Sequence, residues 1–578
     1  MARKPPPVHH LNPENPLILQ SDMTIVLETM HPRFAEMRDE LLPFAELDKS
    51  PQFLHTYKLT PISIWNAASV GYTSERVVSF LEENARYDIP ANFAKEVRNW
   101  FAKSNVFTLC DDVDSCLRLE ASDPQLFSQL HEDSDLSRHF NEYNEQLGHA
   151  WLGHGRRGLV KTKLMQLGFP VHDRASFISG APLSIELSAQ TTDGREFRLR
   201  PYQQSAVDSF YLDGKPGGGN GVVVLPCGAG KTVVAMAAMA AVGAHTLVLS
   251  PNTVALHQWR REILDKTNIT EDQIGEYSGS VKEIKPITLT TYQIMTYRAS
   301  KGEDFLHFDL FSKGDWGLIV YDEVHLLPAP VFRATAEIQA RRRLGLTATL
   351  IREDGKEDEV FCLIGPKRYD APWKELERGG FIASVECIEV RVPMDDELSR
   401  KYMNSSKRER YRLACENPNK TEVLLALLRK HHGRRILIIG LYIAQLEALS
   451  AELNVPLISG KMPNDERERL YDAFRAGEQR VLVISKVGNF AIDLPDANVA
   501  IQISGTFGSR QEEAQRLGRI LRPKSDGSTS KFYSLTSENS VDQDYAEKRQ
   551  RFLTERGYYY ELVNSSQILN DDSVSANS

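Results

Sequence analysis

Short apolar runs alternate with amphipathic stretches over most of the chain that follows residue 195. The runs are GVVVLP, HTLVLS, ITLTTY, GLIVYDE and LGLTAT, and then RILIIG, VPLIS, RVLVIS and VAIQIS. Continuous apolar strands separated by helices are typical of parallel sheets that are covered on both faces. A break near residues 370–435 divides the runs into five and four. The pattern therefore predicts an α/β fold with two parallel-sheet lobes.

The first 195 residues follow a different pattern. They contain the short strand-like runs PLILQ, MTIVLE and VFTLC between more polar stretches. The segment TSERVVSFLEENA predicts a helix, because Thr73 or Ser74 can cap it and apolar residues recur along one face. The apolar residues of that face are Val77, Val78, Phe80 and Leu81. We expect an N-terminal α+β accessory region here.

Length and charge limit the kind of protein. A chain of 578 residues is too long for one ordinary core, so we expect three or four domains. The net charge is −9, and a nucleic-acid partner would therefore need a local basic surface rather than a basic chain.

Several features indicate a cytoplasmic protein without a membrane span or a zinc site. The six cysteines form no CxxC pair, which suits a reducing compartment. Prolines occupy the N-terminus where a signal peptide needs an apolar core. The apolar stretch from Val233 to Leu249 is interpreted as a buried helix and a strand. The pairs His9-His10 and His431-His432 have no partners at metal spacing and are interpreted as surface residues.

A glycine-broken turn follows the first apolar run, in VVVLPCGAGKTVV. Gly228 and Gly230 allow backbone amides to point at phosphate oxygens, and the helix that follows adds partial positive charge. In such a turn Lys231 reaches the β and γ phosphates and the Thr232 hydroxyl binds Mg²⁺. The residues expected to hold the triphosphate are Pro226, Cys227, Gly228, Ala229, Gly230, Lys231 and Thr232. Leu225 replaces the first glycine of the strict pattern, so an accidental glycine-rich turn is the alternative. Residues 226–230 are called the glycine turn below.

An acidic pair ends another apolar run, in GLIVYDEVH. At this place Asp322 would hold Mg²⁺ and Glu323 would activate the attacking water. The alternative is that both carboxylates only solvate the end of a strand. Together with the glycine turn, the pair predicts that a nucleoside triphosphate is bound with magnesium and hydrolysed.

The two segments PCGAGKT and DEVH together resemble superfamily 2 helicases, and further segments match in order. LRPYQQSAV resembles the adenine-reading motif with Gln203 as its reader, and LSPNTVALHQW, TLTTYQ and LTATL resemble motifs Ia, Ib and III. VLVISKVGNFAIDLP resembles motif V with Asp493 at its acidic position, although Lys486 and Phe490 depart from the usual residues. QEEAQRLGRILRP resembles motif VI, whose core residues are Gln515, Gly518, Arg519 and Arg522.

Within this superfamily the chain is most similar to the XPB helicases. Arg352, Glu353 and Asp354 directly follow motif III, as in the RED element of that family. The basic stretch 396–420 lies where XPB helicases insert a thumb, and the N-terminal segments also resemble theirs. The resemblance covers about residues 15–560 and suggests a bacterial or archaeal form.

The resemblance implies two tandem RecA-like domains, ATP and Mg²⁺ as ligands, and 3′ to 5′ movement on DNA in repair or transcription. Residues implied at the ATP site beyond the glycine turn are Gln203, Asp493, Gln515, Arg519 and Arg522. The two arginines could reach the γ-phosphate only when the lobes close, as arginine fingers do. Alternatively, they pair with local carboxylates such as Glu512 and Glu513.

Further roles follow from motif position. His325 is expected to couple the ATP site to motif III near Thr347 and Thr349, and a satisfied core histidine is the alternative. The expected DNA-contacting or unwinding residues are Ser250, Thr291, Ser485, Lys486, Arg352, Glu353 and Asp354, each of which could instead be a turn, cap or surface residue. The thumb cations Lys401, Lys407, Arg408, Arg410 and Arg412 could hold phosphates or could form a solvated helix face.

The sequence predicts five segments. They are an accessory domain (1–115), a connecting α+β segment (116–195), helicase domain 1 (196–370), helicase domain 2 with the thumb (371–535) and a C-terminal tail (536–578). Two rivals to a DNA helicase stay open. One is a double-stranded DNA translocase, and the other is a nucleotide-gated scaffold that recruits a repair nuclease or transcription factor through residues 1–195.

Overall fold

The computed structural model forms four β-sheets within the residues that it describes. It describes residues 12–41, 43–49, 54–69, 71–104, 106–112, 116–131, 134–177, 179–214, 218–298, 306–307, 310–327, 342–348, 360, 363–365, 367–371, 373–485, 497–505, 510–518, 520–521, 529–556 and 558–575. Two small sheets belong to the N-terminal third, and two seven-stranded sheets form the lobes.

The first unit is an antiparallel sheet with four helices. Its strands are β1 (Leu17–Leu19), β2 (Thr24–Glu28), β3 (Glu46–Lys49) and β4 (Leu54–Lys58), in the order β1-β2-β4-β3. Its helices are Phe34–Leu41, Pro61–Ser69, Ser74–Asn84 and Ala91–Ser104. The predicted cap is confirmed, because the Thr73 hydroxyl accepts a hydrogen bond from the Arg76 amide. The apolar face of that helix packs into the core of this unit.

The second unit is a mixed sheet of five strands. They are β5 (Phe107–Asp111), β6 (Cys116–Ala121), β7 (Glu142–Asn144), β8 (His149–Gly153) and β9 (Val171–Asp173), in the order β7-β8-β6-β5-β9. Its helices are Pro124–His131, Ser134–Ser137 and Arg157–Gln166, with a short 3₁₀ turn at His154–Arg156. The predicted boundary between residues 115 and 116 falls between two paired strands of this sheet. We therefore move the boundary to the connection between Ser104 and Phe107, where the first unit ends.

Lobe 1 is an all-parallel sheet. Its strands are β10 (Asn220–Val224), β11 (Thr246–Ser250), β12 (Ile274–Tyr277), β13 (Ile287–Thr291), β14 (Leu318–Tyr321), β15 (Arg342–Thr347) and β16 (Lys367–Asp370), in the order β12-β13-β11-β14-β15-β10-β16. Its helices are Pro201–Tyr211, Lys231–Val242, Thr253–Lys266, Tyr292–Met295 and Leu310–Lys313, and 3₁₀ turns lie at Leu212–Gly214, Glu271–Gln273 and Val324–Leu326. All five apolar runs predicted for this lobe are strands. The stretch from Val233 to Leu249 is a helix and a strand, as predicted.

Lobe 2 is also an all-parallel sheet. Its strands are β17 (Val385–Val392), β18 (Ile436–Ile439), β19 (Leu457–Ile458), β20 (Val481–Ile484), β21 (Val499–Gln502), β22 (Ser530–Ser537) and β23 (Tyr560–Asn564), in the order β19-β20-β18-β21-β22-β17-β23. Its helices are Asp396–Met403, Lys407–Cys415, Asn419–Lys430, Ile443–Leu453, Asn464–Ala476, Arg510–Gly518, Val541–Glu555 and Ser565–Ser575, and Trp373–Arg378 links the lobes. The segment predicted as a tail supplies β23, which pairs with β17, so it is part of the lobe.

A strap, residues 179–197, ties the second unit to lobe 1. The Ala181 amide donates to the Asp315 carbonyl at 2.9 Å, and the Leu183 amide donates to the Gly243 carbonyl at 2.9 Å. Both acceptors precede strands of lobe 1. The strap therefore follows the edge at which the strands begin, opposite the edge that carries the glycine turn.

The two N-terminal units contact different parts of the chain. In the second unit, Arg157 lies 4.7 Å from the ring centre of Phe177, and Arg343 of lobe 1 lies 5.9 Å from the same ring. The first unit instead contacts the far end of the chain, because β3 lies against the helix Val541–Glu555. In addition, Arg38 forms an ion pair with Glu375 of the linking helix. Thus the second unit is attached to lobe 1, and the first is attached to the linker and lobe 2.

The lobes face each other across a closed crevice. One continuous apolar core contains residues of both lobes, among them Ala229 of the glycine turn and Leu517 of lobe 2. At the periphery, His257 of lobe 1 and Glu468 of lobe 2 approach to 3.1 Å. Arg556 of lobe 2 also donates to Asp370, the last residue of β16, at 2.9 Å. These contacts hold the lobes together in the arrangement described here.

One histidine prediction is wrong. His431 is buried at 6% exposure, and its Nε2 lies 3.0 Å from the Tyr533 hydroxyl, whereas His432 is exposed. His9 and His10 lie outside the described residues. None of the helices in the described ranges has both the length and the apolar character needed to cross a bilayer.

Candidate active site

The glycine turn connects a buried strand to the start of a helix. β10 lies between β15 and β16 and all five of its residues are buried. Gly228 and Gly230 have φ values of 80° and 82°, in the left-handed region that favours glycine. Lys231 is the first residue of the helix Lys231–Val242, so the free amides of that helix face the turn. The local geometry is therefore that of an anion-binding loop.

Lys231 faces the acidic pair. Its Nζ lies 3.2 Å from Glu323 Oε1, and both side chains are 12% exposed. Burial alone would lower the pKa of Lys231, but the negative charges around it, chiefly Glu323, outweigh this effect and raise the pKa. A permanently charged ammonium thus stands beside the turn, at the place where phosphate charge would lie.

Asp322 follows β14 and is held by two aromatic residues. Its carboxylate accepts a hydrogen bond from Trp259 Nε1 at 3.0 Å, and its backbone carbonyl accepts one from the Tyr292 hydroxyl at 2.9 Å. Burial, and then the neighbouring charge of Glu323, raise the pKa of Asp322 to about 6. Neither Trp259 nor Tyr292 could be assigned to the site from the sequence. Their places within motifs Ia and Ib gave no signal that they support a carboxylate on another strand.

Two oxygen donors, one in the helix after the glycine turn and one just after β14, suit magnesium. The Asp322 carboxylate and the Thr232 hydroxyl are hard oxygen ligands of the kind that Mg²⁺ prefers, and Mg²⁺ usually takes few protein ligands beside phosphates. In the part of the chain that the structure describes, no group of three or more His, Cys, Asp or Glu side chains is arranged to hold a metal by itself.

His325 and Thr347 are brought together as the motifs predict. His325 Nδ1 lies 2.7 Å from the Thr347 hydroxyl and 3.6 Å from Glu323 Oε2. His325 is buried, and its two contacts connect the acidic pair with the end of β15. Thr349, the other predicted coupling residue, lies outside the described residues.

Gln203 supports the glycine turn directly. Its side-chain oxygen accepts from the Arg200 amide at 3.0 Å, and its side-chain nitrogen donates to the Ala229 carbonyl at 3.0 Å. The Tyr202 hydroxyl donates to the same carbonyl at 2.7 Å. Adenine reading by Gln203 stays a prediction, because both ends of its amide are engaged with backbone. Phe381 of the linker packs edge-on against Tyr202, a contact that the sequence analysis missed.

Lobe 2 reaches the turn through the helix Arg510–Gly518, which we call the motif VI helix. A Cβ placed on Gly518 would lie 2.5 Å from Cys227 Cβ, so this helix ends directly against the glycine turn. Gln515 belongs to the same helix. The predicted finger residues Arg519 and Arg522, and Asp493 of motif V, lie outside the described residues.

The carboxylates of Glu512 and Glu513, the alternative partners of the finger arginines, face other arginines. Glu512 lies 3.6 Å from Arg516, and Glu513 lies 3.7 Å from Arg549. These contacts weaken the alternative in which Arg519 and Arg522 serve only to neutralise the two glutamates.

Three of the predicted DNA contacts lie at the carboxyl ends of β11, β13 and β20. Ser250, Thr291 and Ser485 are exposed by 0%, 6% and 1%, and Thr291 caps the following turn by accepting from the Ile294 amide. In the arrangement described here, none of the three therefore offers more than 6% of its surface to a nucleic acid. Lys486, Arg352, Glu353 and Asp354 lie outside the described residues.

The basic stretch predicted as a thumb contains the helices Asp396–Met403 and Lys407–Cys415, and we keep the name thumb for these two helices. Arg410 is engaged internally, since it donates to the carbonyls of Tyr402 at 3.0 Å and Met403 at 2.7 Å. Arg412 pairs with Glu416 at 2.8 Å. The exposed thumb cations that remain for phosphates are Lys401, Lys407 and Arg408.

Three family models match the chain. Residues 376–577 match the ERCC3/RAD25/XPB C-terminal helicase. Residues 196–352 match the res subunit of type III restriction enzymes. Residues 17–141 match a helicase conserved C-terminal domain, although they precede both lobes. The matches to residues 196–352 and 376–577 coincide with the two lobes.

Curated relatives align over nearly the whole chain. The DNA 3'-5' helicase XPB of Kineococcus radiotolerans is 49% identical, and the alignment covers 96% of this chain and 97% of the relative. The protein of the same name from Mycobacterium tuberculosis is 47% identical over 96% of this chain and 99% of the relative. The general transcription and DNA repair factor IIH helicase/translocase subunit XPB of Encephalitozoon cuniculi is 32% identical over 95% of this chain and 83% of the relative. On this similarity and the site described above, the chain belongs to the XPB helicase family.

Proposed function

We propose that this protein is an ATP-dependent DNA helicase that moves 3′ to 5′ and opens duplex DNA in repair or transcription. The observation that carries the proposal is a group of charged side chains in the crevice between the two lobes. Lys231 and the acidic pair belong to lobe 1, and the motif VI helix of lobe 2 ends against the same turn. The names of the bacterial relatives support DNA as the substrate, and a protein that acts on bacterial DNA would work in the cytoplasm.

The hydrolysis step uses groups that the crevice already holds. Phosphates that enter the glycine turn, a P-loop in this proposal, compete with Glu323 for the Lys231 ammonium. The Glu323 carboxylate is then released to accept a proton from the attacking water. Thr232 and Asp322 would hold Mg²⁺, which supplies neutralisation of phosphate charge.

Lobe closure links hydrolysis to movement. Arg519 directly follows the motif VI helix, so a small displacement of that helix changes the distance between the finger arginines and the phosphates. His325 bridges the acidic pair to the end of β15 and can transmit the state of the site to motif III. A strand that is held across both lobes is moved by this cycle. The exposed thumb cations support contacts with the nucleic-acid backbone, which a motor that ignores sequence requires.

The direct test measures ATPase with and without single-stranded and double-stranded DNA, together with strand displacement on duplexes that carry a 3′ or a 5′ tail. We expect DNA-stimulated, salt-sensitive ATPase and release only from the 3′-tailed duplex. Lys231→Ala should abolish both activities. An ATPase that DNA does not change, or release from the 5′-tailed substrate alone, would contradict the proposal.

A double-stranded DNA translocase is the second candidate. It is favoured by the name of the Encephalitozoon cuniculi relative, which includes both helicase and translocase. High ATPase on duplex DNA without strand release would select it. Retention of the biological role by Lys231→Ala would instead favour a scaffold that recruits a nuclease or transcription factor.

A further inference from the structure

A buried ionic network lies behind the motif VI helix, outside every helicase motif except that helix itself. Six charged side chains take part, and each is less than 10% exposed. Three are cations and three are anions: Lys420, Arg516, Arg549, Asp542, Glu512 and Glu513. Buried ions of this kind contribute little net stability compared with apolar residues of the same volume. Their placement between moving parts therefore invites a functional explanation.

Arg549 is the member that contacts several elements at once. Its Nη1 donates to the Tyr411 hydroxyl at 3.3 Å, and its Nε lies 3.7 Å from Glu513. Its Nη2 lies 3.6 Å from Asp542. Its guanidinium is also pressed against Gly505, since a Cβ on that residue would lie 2.2 Å from Arg549 Cζ.

These contacts join the thumb to the ATP crevice. Tyr411 belongs to the thumb helix Lys407–Cys415, and its hydroxyl donates to the Gly505 carbonyl at 2.7 Å. Gly505 lies just before the motif VI helix in the chain, and Glu513 lies within that helix. The path from thumb to glycine turn therefore runs through Tyr411, Arg549 and the motif VI helix.

The same thumb helix offers cations to solvent and Tyr411 to the core. Lys407 and Arg408 are exposed at its start, and Tyr411 is buried at 1% one turn later. A nucleic-acid backbone that binds the exposed end would tilt this short helix as a unit. Because the Tyr411 hydroxyl is fixed to both Gly505 and Arg549, such a tilt is passed to the segment that leads into the motif VI helix.

The charge of Arg549 is secured by its surroundings. Burial would lower the pKa of Arg549, but Tyr411, Glu513 and Asp542 outweigh that effect and raise it. Asp542 is fixed in turn by Lys420, whose Nζ donates to it at 2.8 Å. The guanidinium thus stays charged and oriented, although no solvent reaches it.

We propose that Arg549 is a positioning residue that couples the thumb to the motif VI helix, so that a nucleic-acid strand held by the thumb changes how this helix lies against the glycine turn. This inference rests on the proposed function. It adds a residue of the helix Val541–Glu555, which no motif includes, to the machinery that makes ATP hydrolysis depend on DNA.

The test compares Tyr411→Phe and Arg549→Lys with Tyr533→Phe as a matched control. Tyr533→Phe removes another buried hydroxyl of lobe 2, one that faces His431 instead of the network. We expect the first two variants to lower the ratio of DNA-stimulated to DNA-independent ATPase by at least about fivefold, the lower end of typical coupling effects. The DNA-independent rate and the KM for ATP should stay within about twofold of wild type, whereas Tyr533→Phe should leave the ratio unchanged.

The outcomes separate the inference from the proposed function. If wild-type ATPase ignores DNA, the proposed function fails. If wild type is stimulated and Tyr411→Phe retains the full ratio, the coupling role is overturned, even where Arg549→Lys does not fold. Where both variants fold, their combination should lower the ratio no further than the stronger single variant does, because both interrupt one path. Additive effects would show that the two residues act separately.

Discussion

Glu323 has a left-handed backbone, with φ 48° and ψ 54°, at the point where β14 ends. A non-glycine residue in this region carries strain, and such strain is concentrated at functional sites. Here the conformation accompanies the contact of the Glu323 carboxylate with Lys231 and its 3.6 Å approach to His325. The backbone geometry thus adds a reason, independent of the motif, to treat Glu323 as the base.

Glu323→Gln should slow ATP turnover by at least about a hundredfold, the scale of general-base loss. ATP binding should persist, because the amide no longer competes with phosphate for Lys231. Single-turnover hydrolysis and fluorescent nucleotide binding measure the two effects. Asp322→Asn is the comparison, since it should also weaken the Mg²⁺-dependent part of binding. Turnover near wild type in Glu323→Gln would reject Glu323 as the base.

His431 predicts a pH dependence of stability. Burial, assisted by nearby cations, lowers its pKa from 6.5 to about 4. The folded state then binds fewer protons than the unfolded state, so the contribution is complete above pH 6.5 and is lost as pH falls toward 4. We expect His431 to account for about 1 kcal/mol of the stability that is lost between pH 7.5 and 5.5.

Urea denaturation at both pH values checks this expectation. In His431→Gln the loss between the two pH values should be smaller by that amount. His432→Gln, a change at the exposed neighbour, should behave as wild type. An unchanged pH dependence in His431→Gln would mean that His431 is not buried in solution.

At the scale of elements, the lobe strands that could be predicted from the sequence are central and apolar, except β19, which lies at a sheet edge. β10, β11, β14 and β18 are buried along their whole length and read as continuous apolar runs. β16 and β23 escaped prediction because they are edge strands with polar sequences, KRYD and YELVN. β22 was not predicted for another reason. Its serines and threonines interrupt the apolar pattern, although they are buried inside the sheet.

The candidate site shows the same division. Residues in contiguous motifs, such as Lys231, Asp322 and His325, could be assigned, because one short segment fixes their geometry. Trp259 and Phe381 could not, because their roles arise from contacts between distant segments. Arg549 is likewise defined only by the meeting of the thumb with the motif VI helix.

Removal of β23 should show that the C-terminal segment belongs to the lobe. A chain that ends at Tyr559 loses one of the two strands that pair with β17, the buried Ile568 and the hydrogen bond from the Tyr560 hydroxyl to Glu513. We expect destabilisation of at least about 3 kcal/mol, seen as an earlier thermal transition. A chain that ends at Ser575 is the control and should melt as wild type. If the two truncated chains melt at the same temperature, the C-terminal segment is a separate tail and not part of the lobe.

At the scale of the molecule, the close approach of Gly518 to Cys227 tests lobe closure. In Gly518→Ala the new Cβ would lie 2.5 Å from Cys227 Cβ, so the crevice cannot close fully. We expect kcat to fall about tenfold or more, as a small misplacement of reacting groups implies. ATP binding to lobe 1 should change little. Steady-state ATPase and nucleotide titration measure the two quantities.

Second-site variants give this prediction its control. Adding Cys227→Gly to Gly518→Ala removes the opposing Cβ and should restore part of kcat. Adding Cys227→Ala removes only the sulfur and should restore little. If Gly518→Ala hydrolyses ATP at the wild-type rate, the closed arrangement is not the one that reacts.

The separate attachments of the two N-terminal units have a mechanical consequence. The strap fixes one unit to lobe 1, and the other lies on the linking helix and lobe 2. The short connection between Ser104 and Phe107 joins them, and Lys103 of the first unit lies 5.6 Å from the ring centre of Phe169 in the second. Any movement of one lobe relative to the other must therefore change the structure at two places, the linker between the lobes and the connection between the N-terminal units. A ligand held between the two N-terminal units would therefore experience any movement of one lobe relative to the other.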